Sequence, residues 1–84
     1  MKLEDKTNNN IISQAVDGFD ITPSDTTVFQ AAPLYIGTGG DIKVVTRGGT
    51  TLTFTNTQDG SILPVICTKV FSTDTTADDI IGLI

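Results

Sequence analysis

Asp41-Ile42-Lys43-Val44-Val45-Thr46 and Thr51-Leu52-Thr53-Phe54-Thr55, joined by Arg47-Gly48-Gly49-Thr50, decide the fold class of this chain. Ile42 and Val44 fall on one face of the first segment. Leu52 and Phe54 do the same on the second, with Thr51, Thr53 and Thr55 opposite. A repeat of two is the mark of a half-buried strand. Gly48 and Gly49 supply the positive φ that tight hairpin turns favour. The stretch therefore reads as a β-hairpin.

Downstream, Asn56 to Gly60 ends in Asp59-Gly60 and reads as a turn. Ile62 to Phe71 follows, apolar on both faces apart from Thr68 and Lys69. That pattern predicts a strand covered on both sides, with Pro64 marking an edge or a bulge. Ser72 to Asp79 is polar, and Ile80 to Ile84 is a short apolar strand. Such a strand is expected to dock in this sheet or in a neighbour's, since burial gains ~25 cal/mol per Å².

Upstream, Gly37-Thr38-Gly39-Gly40-Asp41 reads as a tight turn, and Leu34-Tyr35-Ile36 as the strand-like end of Val28 to Ile36. Pro33 cannot donate to a ladder and belongs at a strand start or on an edge. Ile21 to Thr27 is a turn, with Pro23 fixing its own backbone and Ser24 and Asp25 suited to local bonds with the main chain. Residues 1–20 form an arm whose apolar anchors are Ile11, Ile12, Val16 and Phe19, with a weak helical pattern around Ile12 to Val16. The domain division is thus an arm, 1–20, and a β domain, 21–84. Five or six closely spaced strands with Gly and Asp turns predict an all-β fold, a small antiparallel β-sandwich or barrel.

Composition agrees. The chain has 84 residues, enough for one domain. A chain this short buries only roughly 60–65% of its unfolded surface, so its own core is thin. Thr occurs fifteen times and Ile and Val are common, a balance that favours strands over helices. The net charge is −5, with four Lys and one Arg scattered along the chain. Nucleic acid and anionic membrane surfaces call for a basic stripe, so neither is an expected partner. No stretch approaches the ~20 apolar residues of a membrane helix, and the chain does not open on a signal-peptide pattern.

Nothing in the chain adds up to catalysis. With no His, a Ser-His-Asp or Cys-His arrangement cannot form within one chain. Cys67 is the sole cysteine and sits in an apolar run, as a small buried hydrophobe does. The Gly37–Asp41 turn resembles a phosphate loop only superficially, because a strand follows where a helix and a Lys would be needed. Asp74, Asp78 and Asp79 lack the spacing and closing Glu of a calcium loop, and Asp17, Asp20 and Asp25 read as solvated acids too. No Trp is present to stack a sugar, and a thin domain has little room for a cleft between paired carboxylates. The expectation is no enzyme, no cofactor and no metal.

The order of several short motifs adds a resemblance. Ile21-Thr22-Pro23-Ser24-Asp25-Thr26-Thr27 precedes Ala32-Pro33-Leu34-Tyr35-Ile36-Gly37-Thr38-Gly39-Gly40-Asp41-Ile42. Leu52-Thr53-Phe54, Gly60-Ser61-Ile62-Leu63-Pro64-Val65 and Thr73-Asp74-Thr75-Thr76-Ala77 follow. Over residues 21–84 this resembles the spike base family of gene transfer agents and related tailed phages. Asp74 stands where that family usually has Gly, and residues 1–20 match no known pattern.

The resemblance implies a virion protein on the capsid surface, made in the host bacterial cytoplasm. It implies a homo-oligomer, five copies favoured and three the alternative, seated on the major capsid protein and carrying a spike or fibre protein. The assembly candidates are Ile11, Ile12 and Phe19 of the arm, Pro23 and Asp25 of the turn, and Ile80, Leu83 and Ile84 of the last strand. Two other readings stay open: a small glycan- or receptor-binding β module, and a tail or baseplate component.

Overall fold

The computed structural model describes residues 15–84. Six strands follow in chain order: β1 Gly18–Ile21, β2 Ala32–Thr38, β3 Ile42–Thr46, β4 Thr51–Phe54, β5 Ser61–Val70 and β6 Asp78–Leu83. They form one antiparallel sheet in the order β1-β6-β2-β5-β3-β4. The expected all-β antiparallel class is what the chain adopts, and no helix occurs among the described residues.

The core explains how one sheet suffices. Ile21 of β1, Leu34 and Ile36 of β2, Ile42 and Val44 of β3, Leu63, Cys67 and Val70 of β5 and Ile80 of β6 make a single buried cluster, and Phe54 of β4 packs against it. Every strand thus contributes one face to the same interior, which requires the sheet to wrap round on itself. Hydrogen bonds outside the ladders hold the wrap. The Asp41 carbonyl accepts from the N–H groups of Thr76 (2.8 Å) and Ala77 (3.1 Å). The Asp41 and Lys43 N–H groups donate to the Thr76 and Thr75 hydroxyls at 2.9 and 3.0 Å. The Thr75-Thr76-Ala77 motif therefore ties the start of β3 to the segment entering β6.

The hairpin is found as expected, with Ile42 paired to Phe54 and Val44 to Leu52. The last strand docks in its own sheet, between β1 and β2. Pro33 and Pro64 share a bulge: Ala32 pairs with Cys67 and Leu34 with Leu63, so Pro33 faces the three residues Pro64 to Ile66. Two residues without N–H groups therefore sit where the ladder is interrupted.

Two expectations are corrected. The sheet reaches back to Gly18, because Gly18 to Ile21 pairs with Leu83 to Ile80, and Ala15 and Val16 are not helical. β5 is covered on one face only. Leu63, Cys67 and Val70 point into the core, whereas Ile62 is 59% exposed and Ile66 43%. No second layer lies over them among the described residues.

Candidate assembly surface

The assembly candidates separate into several environments. Ile11 and Ile12 lie outside the described residues. Phe19 sits half-buried on the core face of β1, where its ring meets Phe29 edge to face, centroids 5.8 Å apart. Gly82, paired with Phe19, leaves the room for that ring, and a Cβ at position 82 would collide with it. Phe19, Ile21 and Phe29 line an open cleft of about 310 Å³ whose lip includes Asp20 and Thr27.

Pro23 and Asp25 belong to the crossover from β1 to β2. The Ser24 N–H donates to the Val70 carbonyl (2.8 Å), and the Phe29 N–H to that of Thr68 (2.8 Å), so the crossover lies beside the end of β5. Ser24 makes the expected local bonds, its hydroxyl accepting from the N–H groups of Thr26 and Thr27 at 3.3 and 3.2 Å. Asp25 instead reaches across the chain. Its carboxylate accepts from the Ser72 N–H and hydroxyl (3.0 and 3.2 Å) and from the Thr73 N–H and hydroxyl (3.0 and 2.6 Å). Bonds to the charged form favour it, and those from Thr73 above all lower the Asp25 pKa from 3.8 to about 2. Lys69 closes the junction by donating to the Asp25 carbonyl (3.1 Å).

The last strand splits by face. Ile80 is a core residue. Leu83 is half-buried on the outer face, and Ile84 exchanges hydrogen bonds with Asp17, each 2.9 Å. Ile81 also faces outward, in a cross-strand row of Ile62, Tyr35, Ile81 and Asp20. With Pro64 and Ile66 this row makes an apolar outer face over β5, β2 and β6. Sequence reasoning missed that face, although its signal, the two-sided apolarity of Ile62 to Val70, was there to be read. The described residues of this chain cover only one of that segment's two faces.

The cations lie on one side of this surface. Lys43 and Lys69 both stand over the Phe71 ring, 4.9 and 4.7 Å from its centroid, and Lys43 lies 3.6 Å from Asp74. Arg47 starts beside Ile66, whose carbonyl accepts the Arg47 N–H at 2.8 Å.

The groups that could have suggested chemistry are occupied. The Gly39 N–H donates to the Asp59 carboxylate (2.6 Å), and the Gly40 N–H to the Thr57 carbonyl (3.1 Å) and hydroxyl (3.2 Å). A Cβ at position 39 would strike the Thr57 carbonyl, so the loop is glycine for packing. Its donors are spent and an acid stands beside them, which is the reverse of an anion cradle. Cys67 is fully buried, and desolvation pushes its thiol up to about 11. No group of three or more acidic, Cys or His residues could hold a metal among the described residues.

No family model matches the chain, and a search of curated proteins found no match. Among solved structures, it is similar to a chain of a structure described as the capsid of a native GTA particle computed with C5 symmetry. The two are 37% identical, the match covers 87% of each chain, and the TM-score is 0.76. The chain belongs to the family of that component of a gene transfer agent (GTA) capsid.

Proposed function

We propose that the protein is a structural component of the head of a tailed phage or phage-like particle, acting on the capsid surface as a spike base or decoration protein. The observation that carries this is the 37% identity over 87% of both chains to a component of a GTA capsid. The outer apolar face supports it, since a monomeric soluble domain gains nothing by leaving Ile62 and Ile66 in water. Its work is adhesion without turnover. Its partners are further copies of itself, the major capsid protein and a spike or fibre mounted above. Five copies around a vertex is the favoured arrangement, and three on a facet is the alternative.

In this reading the arm binds the capsid shell or a neighbouring subunit. Removing residues 1–14 spares β1 and tests that role, with reduced incorporation into heads as the expected result and normal incorporation as the result against it. The decisive experiment is imaging of particles carrying a labelled copy. Label confined to heads supports the reading, and label on tails or absent from particles overturns it.

A further inference from the structure

The chain holds two Asp-Gly dipeptides, Asp17-Gly18 and Asp59-Gly60. Such a pair can close on itself. The lone pair of the glycine nitrogen attacks the Cγ of the aspartic acid. The amide hydrogen and the carboxyl hydroxyl leave as water, and a five-membered succinimide forms. Water then opens the ring at one of its two carbonyls. Opening at Cγ restores aspartate. Opening at the main-chain carbonyl gives isoaspartate, in which the chain runs through the former side chain. Glycine obstructs the closure least, because it has no side chain and its backbone turns freely.

The fold treats the two dipeptides differently. At Asp59-Gly60 both reacting groups are held by other parts of the chain. The Gly60 N–H donates to the Ile36 carbonyl (2.8 Å), and the Asp59 carboxylate accepts from the Gly39 N–H (2.6 Å). At Asp17-Gly18 they are held by each other. The Gly18 N–H donates to the Asp17 carboxylate at 2.8 Å, which sets the nitrogen against the carboxyl group it would attack. No neighbouring strand competes for that nitrogen. Asp17 and Ile84 exchange both main-chain bonds, each 2.9 Å. The next pair, Gly18 with Leu83, is therefore a non-bonded one, and the Gly18 N–H points to the free edge of β1. Both residues are exposed to the water that the second step consumes. Packing also requires the glycine. A Cβ on Gly18 would come to 3.0 Å from the Gly82 carbonyl oxygen and 3.1 Å from the Ile81 side chain.

We propose that Asp17 is a site of spontaneous isoaspartate formation in the folded protein, and that folding protects Asp59 from the same reaction. The product alters a junction. The Asp17 main-chain carbonyl, which accepts the Ile84 N–H, becomes a free carboxylate beside the chain, and one more carbon enters the main chain before Gly18. The bonds from the Val16 and Asp17 N–H groups to the Ile84 carbonyl, 2.8 and 2.9 Å, then lose their register. The change falls where residues 1–14 join the sheet.

The test incubates the full chain at 37 °C, native and in guanidinium chloride, and follows both sites by peptide mapping. Electron-transfer fragmentation distinguishes the two isomers, which have equal mass. In denaturant the two sites should react at similar rates. In the native protein the Asp59 site should slow by about tenfold or more, because it must first open locally, while the Asp17 site stays within about threefold of its denatured rate. Asp17→Glu keeps the charge but would have to close a six-membered ring, so the product at that site should vanish while the circular dichroism is unchanged. Aged wild-type protein should lose hydrogen-exchange protection at the Ile84 amide, and the Asp17→Glu protein aged beside it should keep it. Slowing of the Asp17 site as great as that of the Asp59 site overturns the proposal, as does an Asp59 site that reacts no more slowly when folded. An Ile84 amide that stays protected in the isoaspartate form overturns the altered junction.

Discussion

At the scale of single residues, the side chain that matters most to the crossover is Asp25. One carboxylate takes four hydrogen bonds from Ser72 and Thr73 and so joins two loops nearly fifty residues apart in sequence. Its pKa is lowered on folding, so its contribution is fully present above the unfolded value of 3.8 and is lost as pH falls through about 2. Thermal melts between pH 5 and pH 2 should show this decline. Asp25→Asn should lower the melting temperature at pH 7 and flatten the acid limb, and an unchanged limb would remove Asp25 from the account. Asp74 is a second single-residue case. Its φ of 67° lies in the left-handed region, which is why the family it resembles usually places Gly there. Asp tolerates that region better than most residues. Asp74→Gly should therefore change stability by less than about 1 kcal/mol, because the exposed contact with Lys43 that it loses is worth little. Asp74→Val should cost about 1–2 kcal/mol, as measured by urea unfolding.

At the scale of elements, β1 and β6 depend on each other through one missing side chain. Gly82→Ala would drive a Cβ into the Phe19 ring and disturb its contact with Phe29. We expect a loss of about 1–3 kcal/mol, and a neutral result would mean that the ring has room to move. The elements were unequally legible in sequence. The β3–β4 hairpin was plain because its period of two is unbroken and its turn is glycine. β1 was not, since Gly18-Phe19-Asp20-Ile21 is short and two of its four residues disfavour strands. The apolarity of β5 was read correctly, but not which of its faces this chain leaves bare. Of the named candidates, Phe19 lines the cleft, whereas Ile80 serves the core and Asp25 serves the crossover. The role of Asp25 was hidden because hydrogen bonds to Ser72 and Thr73 leave no periodic trace.

At the scale of the whole molecule, a single core shared by all six strands predicts cooperative unfolding. Cys67 is a built-in reporter, since it is fully buried and its thiol is held near 11. At pH 7.5 a thiol reagent should modify the native protein only as fast as the molecule opens, and the labelling rate should rise in step with urea unfolding. Rapid labelling of the folded state would show a local opening of β5 apart from the rest. The motif order that pointed to the spike base family spans parts that meet only in three dimensions. The Pro23-Ser24-Asp25 turn meets Ser72 and Thr73, and Asp41 meets Thr76. That is a physical reason for those motifs to travel together in one sequence.

The order β1-β6-β2 also sets a timetable for synthesis. β1 has a seat only against Ile80 to Leu83, and β2 pairs on that same side with residues 78 to 82. A ribosome must therefore deliver residue 83 before the earliest strand has anywhere to lie. Until then Phe19 is unplaced, and so is the cleft it lines. A nascent chain has no such cleft before residue 83 has left the ribosome.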